Sequence, residues 1–170
     1  MLGKTIIGSM LALICGMSVP CSAWEMKAGI DQNSGRRYAV VQQWSHDERT
    51  LLAIECQNGA ESVLFGIVVV DPMLIAKINK QRLVDIRVGG HDPIKVMFVL
   101  EKREDLVNFV LTNQGNRESY NQLVKLFGVM HDVAGDMSII LEGGIIQLFI
   151  DNGRADAMDR WRAECAKHKQ

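Results

Sequence analysis

The sequence predicts an α+β protein: a mostly antiparallel β-sheet or sandwich with one internal helix and a C-terminal helix tied to the sheet by a disulfide. Three observations predict it. Short β-rich runs alternate with turn signals along most of the chain, two segments carry helical rather than strand period, and Cys56 and Cys165 fall on a strand end and on the last helix. With 170 residues, 48% of them hydrophobic and 23% charged, the chain can bury one core, and collagen-like, coiled-coil and disordered classes are excluded. A net charge of −1 argues against nucleic-acid binding, which needs a basic surface to displace phosphate counterions.

The first element, residues 1–23, stands outside the fold. Lys4 precedes an uncharged apolar run from Ile6 to Val19, Pro20 breaks it, and Cys21-Ser22-Ala23 places small residues at the −3 and −1 positions of a cleavage site. That order is a secretory signal peptide cleaved after Ala23. A membrane anchor would need a run of about 18–20 apolar residues. A lipoprotein would use Cys15 or Cys21, whose preceding residues, Ile14 and Pro20, are poor neighbours for lipid attachment. Removing 23 residues leaves 147, residues 24–170, as one β-rich periplasmic domain with 18 basic residues against 20 acidic ones and no membrane span.

Within that domain, Tyr38–Val41 is a strand following the turn-like Asp31–Gly35, and Leu51–Cys56 is a second. Asn58-Gly59 separates it from Ser62–Val70 and is the strongest hairpin signal, because both residues tolerate positive φ. Leu83–Val88 and Ile94–Leu100 flank Gly89-Gly90-His91-Asp92-Pro93; Leu106–Thr112 follows a charged turn; Met137–Leu141 and Ile145–Ile150 surround Glu142-Gly143-Gly144. Between Ser119 and Met130, Tyr120, Leu123, Val124, Phe127 and Met130 recur at helical spacing behind a Ser119–Gln122 capping box. From Asp151 to Lys167, Ala155, Met158, Trp161 and Cys165 share one side of a helix, with acidic residues before it and basic ones closing it.

Cleavage would remove Cys15 and Cys21, leaving two cysteines in an oxidising compartment, where they pair. A Cys56–Cys165 bond closes roughly 110 residues, worth about 4–5 kcal/mol by chain entropy. The alternatives are two buried thiols or a zinc site, the latter without a further Cys or His at ligand spacing.

Three histidines precede aspartates: His46-Asp47, His91-Asp92 and His131-Asp132. Imidazole with carboxylate binds divalent metals, so these are the candidate metal ligands, but neighbours on a strand point to opposite faces and Asp in turns bonds its own backbone. Ser45-His46-Asp47 are sequence neighbours, whereas a catalytic triad assembles from separate loops. No catalytic residue or cofactor is nominated. Met73-Leu74-Ile75, after Asp71-Pro72, is the candidate partner-binding segment.

The order of several features resembles a known family. Trp24 follows the signal peptide; Leu52-Ala53-Ile54-Glu55-Cys56-Gln57-Asn58 ends one strand and Val84-Asp85-Ile86-Arg87-Val88 forms another; Phe149, Gly153 and Ala157 match a Phe-xxx-Gly-xxx-Ala pattern, with Trp161 and the final Cys165 beyond. This resembles the small periplasmic proteins associated with type VI secretion (the VasI-like family) and is more distantly similar to the invasion-associated locus B proteins. The resemblance implies a disulfide-closed, β-sandwich-like periplasmic domain and supplies no active-site residues. The expected function is therefore non-enzymatic binding of another envelope or secreted protein, as a secretion accessory or an inhibitor or immunity factor. The alternatives are an envelope hydrolase or metal-dependent enzyme using the His-Asp loops, and a small-ligand or lipid carrier lined by Phe109, Phe127 and Phe149.

Overall fold

The computed structural model describes residues 23–58, 62–69, 81–103, 106–112, 117–141 and 146–167. Residues 1–22 of the expected signal peptide, Met73-Leu74-Ile75, Gly59, Gly143-Gly144 and the side chain of Phe109 lie outside the described residues. The β-rich runs form strands β1 (Glu25–Ile30), β2 (Arg37–Trp44), β3 (Thr50–Gln57), β4 (Ser62–Val69), β5 (Gln81–Val88), β6 (Ile94–Arg103), β7 (Leu106–Thr112), β8 (Met137–Ile140) and β9 (Ile146–Phe149). The two helical segments are α1 (Arg117–Asp132) and α2 (Arg154–Ala166).

All pairings are antiparallel, and the described strands make one sheet in the order β1-β2-β3-β4-β7-β6-β5-β8-β9. One sheet forms rather than the sandwich the resemblance implies, because its two ends curl towards each other. His46 N–H donates to the Leu148 carbonyl at 2.8 Å, Trp24 N–H to Asn152 at 3.1 Å, and the Trp24 indole and Gln43 amide to the Ile150 carbonyl at 3.1 and 3.0 Å. Strand period then sends alternate residues inward: Ala39, Val41, Leu52, Ile54, Phe65, Ile67, Ile86 and Phe98 are buried in one core with both helices. Each such side chain contributes about 1.5–3 kcal/mol over its exposed state. Both helices pack against the inward face, α1 on β6 and β7 and α2 on β1 and β2, each with its other side exposed. Phe98, Phe65, Phe127 and Trp161 form an aromatic chain with successive centroids 5.7, 6.2 and 5.7 Å apart, running from β6 and β4 through α1 to α2.

Several boundaries differ from the sequence reading. β1 is a strand the sequence reading did not name: Glu25 to Ile30 alternate weakly, with Gly29 and Ala28 supplying little side chain, and no residue of the strand is buried. Ser119 lies inside α1, not at its start, since Arg117 and Glu118 are already helical and Glu118 suits the positive helix end. Tyr120 and Val124 are exposed; the buried stripe is Leu123, Leu126 and Met130, so the helix is rotated towards Leu126. On α2, Ala155 is exposed while Ala157, Met158, Trp161 and Cys165 are buried, and Gly153 rather than a side chain caps the start.

The disulfide joins Cys56, at the inner face of β3, to Cys165 on α2, with Cα atoms 6.2 Å apart and a sequence separation of 109. One turn earlier on α2, the Trp161 indole donates to the Ala39 carbonyl at 3.1 Å. The other end of α2 is held by a different device. Arg154 is 2% exposed and its guanidinium donates to the carbonyls of Met130 (2.6 Å), Val133 (2.6 Å) and Gly135 (2.9 Å), closing the C-terminal end of α1 and the loop after it. Asp151 lies 3.5 Å from the same guanidinium and accepts the Gly135 N–H at 2.7 Å. Burial pulls the Arg154 pKa down from its usual value, and Asp151 and Asp136 oppose that. Gly89 is required where the β5–β6 turn meets this loop: its φ is +51° and a Cβ there would lie 2.2 Å from the Ala134 carbonyl oxygen.

Candidate functional site

The three His-Asp pairs occupy three different places with different partners. In the β2–β3 turn, Asp47 Oδ1 accepts the Ser45 hydroxyl at 2.6 Å and the Arg49 N–H at 3.2 Å, while Ser45 accepts the Thr50 N–H at 3.0 Å. Partial burial opposes ionisation of Asp47, but the hydrogen bonds from Ser45, Arg49 and Gln147, with the charge of Arg49, together hold its pKa below the ordinary value. This pair builds a turn: His46 is exposed and its backbone fastens the turn to β9. In the β5–β6 turn, His91 Nδ1 faces the Asp92 carbonyl at 2.7 Å, again a local contact. Among the described residues no group of three or more His, Cys, Asp or Glu side chains is arranged to hold a metal ion.

His131 is different, because its partners come from two elements. Nδ1 meets Asp132 Oδ1 at the end of α1, and Nε2 meets Asp159 Oδ1 of α2 at 3.0 Å. The hydrogen bond with Asp132 raises the His131 pKa above 6.5, and Asp159 adds to it; slight desolvation and the charge of Arg162 oppose. The sequence pattern identified His131 and Asp132 but not Asp159, whose position opposite them depends on how α2 packs on α1.

Glu55 is a second ionisable group that the sequence reading did not assign a role. It lies within the apolar run of β3 and is 6% exposed, its carboxylate accepting the Gln57 amide at 2.7 Å. Burial pushes its pKa up from 4.5, Gln57 pulls the other way and the charge of Asp31 adds to the rise. A carboxylate inside a β-rich apolar run was the visible signal.

The outward face of the sheet divides into two regions. On β2, β3, β4 and β7, Val40, Leu51, Ala53, Leu64 and Val110 are buried. On β6, β5, β8 and β9 the register places Lys95, Asp85, Ile140 and Ile146 side by side in one row, with Met97 opposite Leu83 in the next. Here Leu83 is 52% exposed, Val99 45% and Met97 38%, and Ile146 and Leu148 are exposed as well. Lys95 and Asp85 face each other at 3.7 Å beside this apolar strip. A shallow groove of about 630 Å³ runs along it, lined by Arg82, Leu83, Asp85, Lys95, Met97, Ile140 and Leu141.

The phenylalanines expected to line a carrier pocket are committed to packing where they are described: Phe149 is fully buried in the core, and Phe127 lies between Phe65 and Trp161. No helix among the described residues is long and apolar enough to cross a membrane. Compared with known proteins, the chain matches no family model, no curated protein and no solved structure.

Proposed function

We propose that the chain is exported to the periplasm and works there by binding another envelope or secreted protein, as a secretion accessory or as an inhibitor of an envelope hydrolase. The observation that carries the binding reading is the open strip of Leu83, Met97 and Val99 on β5 and β6, bordered by Asp85 and Lys95. Apolar side chains gathered on one sheet face and edged by charge are the usual make-up of a protein-binding surface. Export is supported by the leader-like residues 1–23 and by a disulfide of long span, which persists in oxidising compartments. Cleavage after Ala23 is compatible with the fold: Trp24 would begin the mature chain, and its α-ammonium would keep the hydrogen bond to Asn152. The resemblance to the VasI-like family favours the secretion-accessory form of this reading.

The test is affinity capture of the tagged, exported protein from a periplasmic extract, beside a Leu83→Lys/Met97→Glu variant. Both side chains are exposed, so the variant should melt like the wild type. The wild type should retain one stoichiometric partner and the variant should lose it. Recovery of no specific partner, or equal recovery by both proteins, overturns the binding surface. Retention of an uncleaved N-terminus in the cytoplasm overturns export.

A further inference from the structure

We propose that His131 is a pH-operated clamp between α1 and α2, closed when its imidazole is protonated and released when it is neutral. Both ring nitrogens of His131 face carboxylate oxygens, Nδ1 that of Asp132 and Nε2 that of Asp159 at 3.0 Å. A neutral imidazole carries one N–H, so it can donate to only one of these carboxylates, and its other nitrogen then presents a lone pair to an oxygen lone pair. Only the imidazolium makes both bonds, and each is then charge-assisted. Protonation therefore ties the last turn of α1 to the middle of α2, and deprotonation leaves a repulsive contact at one of the two.

The charged groups that face the ring are Asp132 from its own helix and Asp159 and Arg162 from α2. The two aspartates outweigh Arg162, which agrees with the upward direction of the His131 pKa. The sign follows: a group held more basic in the folded protein contributes stability that is fully present below 6.5 and is lost as pH rises through the raised value. Release is local. One turn earlier on α1, Phe127 packs edge-on against Trp161, and the disulfide still fastens α2 at Cys165, so the helices stay in contact while the side-chain tie between them opens. Because His131 is 26% exposed and both aspartates more so, the clamp responds to bulk pH without a buried proton path. The seam between the helices is consequently tighter in a mildly acidic medium than in an alkaline one. The clamp does not depend on the proposed partner.

The experiment is an NMR titration of the histidine side chains in the oxidised full chain, wild type and Asp159→Asn, with melting curves at pH 5.5 and 8.5 that include His131→Gln. His131 should titrate above 6.5, and Asp159→Asn should lower its midpoint by a few tenths of a pH unit. The wild type should melt at a higher temperature at pH 5.5, and His131→Gln should lose part of that difference. A midpoint at or below the ordinary histidine value overturns the clamp, as does a midpoint that Asp159→Asn leaves unchanged. A pH dependence of melting in His131→Gln equal to that of the wild type does so too.

Discussion

The two ends of α2 are fastened by opposite chemistry. At the C-terminal end, Cys165 is bonded covalently to β3 and Trp161 donates a single hydrogen bond to β2. At the N-terminal end nothing is covalent: Arg154 gathers the carbonyls of Met130, Val133 and Gly135, and a turn further along His131 reaches Asp159 from α1. The first attachment exists only where thiols are oxidised; the second works in any compartment and answers to protonation. A reducing environment should therefore free one end of the helix and leave the other in place.

The largest effect should come from removing the covalent tie. Replacing both cysteines by serine opens a closed loop spanning 109 residues, for an expected loss of about 4–5 kcal/mol, read from urea midpoints of oxidised wild type and variant. The comparison fails if the variant and the wild type unfold at the same urea concentration. Breaking the other end should cost nearly as much for a different reason. Arg154→Met keeps the volume but strands three carbonyls, for an expected loss of about 3–5 kcal/mol. Hydrogen exchange should then locate the damage at residues 130–136, whereas the serine variant should lose protection first near Cys165. Identical exchange patterns in the two variants would mean that the helix responds as a unit and that its ends are not separable.

Two smaller changes sharpen the same contrast. Gly89→Ala drives a Cβ into the Ala134 carbonyl at a backbone angle that side chains avoid, so it should weaken the Arg154 end by about 1–3 kcal/mol without touching either cysteine. Calorimetry of this variant combined with Arg154→Met should show less than additive loss, since both changes disturb residues 133–135. At the other end, Trp161→Phe keeps an aromatic ring against Phe127 but removes the bond to Ala39, for an expected loss of about 1 kcal/mol in the same calorimetric scan.

Why one end was legible in the sequence and the other was not follows from the same chemistry. Cys56 and Cys165 are the cysteines beyond the leader-like residues 1–23, and the period of the last helix turned Cys165 inward, so the bond could be proposed from cysteine number and position. Alternation gave most strands, and Asn58 has the positive φ, 48°, that its residue type tolerates, at the end of the strand that pairs with β4. Arg154 gave no such signal. A cation in the first turn of a helix reads as solvated, and its burial depends on carbonyls 19 to 24 residues away that only the α1–α2 packing brings near. Asp159 was missed on the same grounds. Tyr120 and Val124 show the reverse error: their spacing fits an apolar stripe, but helical period cannot fix which edge of a wide stripe faces the core, and Leu126 decided it.

The covalent end is not wholly indifferent to protons, and the smallest predicted effect tests that. Glu55 immediately precedes Cys56 on β3, so its side chain lies on the opposite face of the same strand, held by Gln57. Its pKa is raised above 4.5 by burial, and the sign therefore matches that of His131: the stability it contributes is fully present below 4.5 and is lost as pH rises through the raised value. Glu55→Gln keeps an oxygen to accept the Gln57 amide and removes the charge. The variant should melt slightly higher than the wild type at pH 8 and show little gain at pH 4. Combined with His131→Gln, the two changes should act additively, because one group sits outside the sheet and the other on the helix seam. Equal effects of Glu55→Gln at both pH values would show that Glu55 does not change its protonation between them, and the covalent end would then be independent of pH.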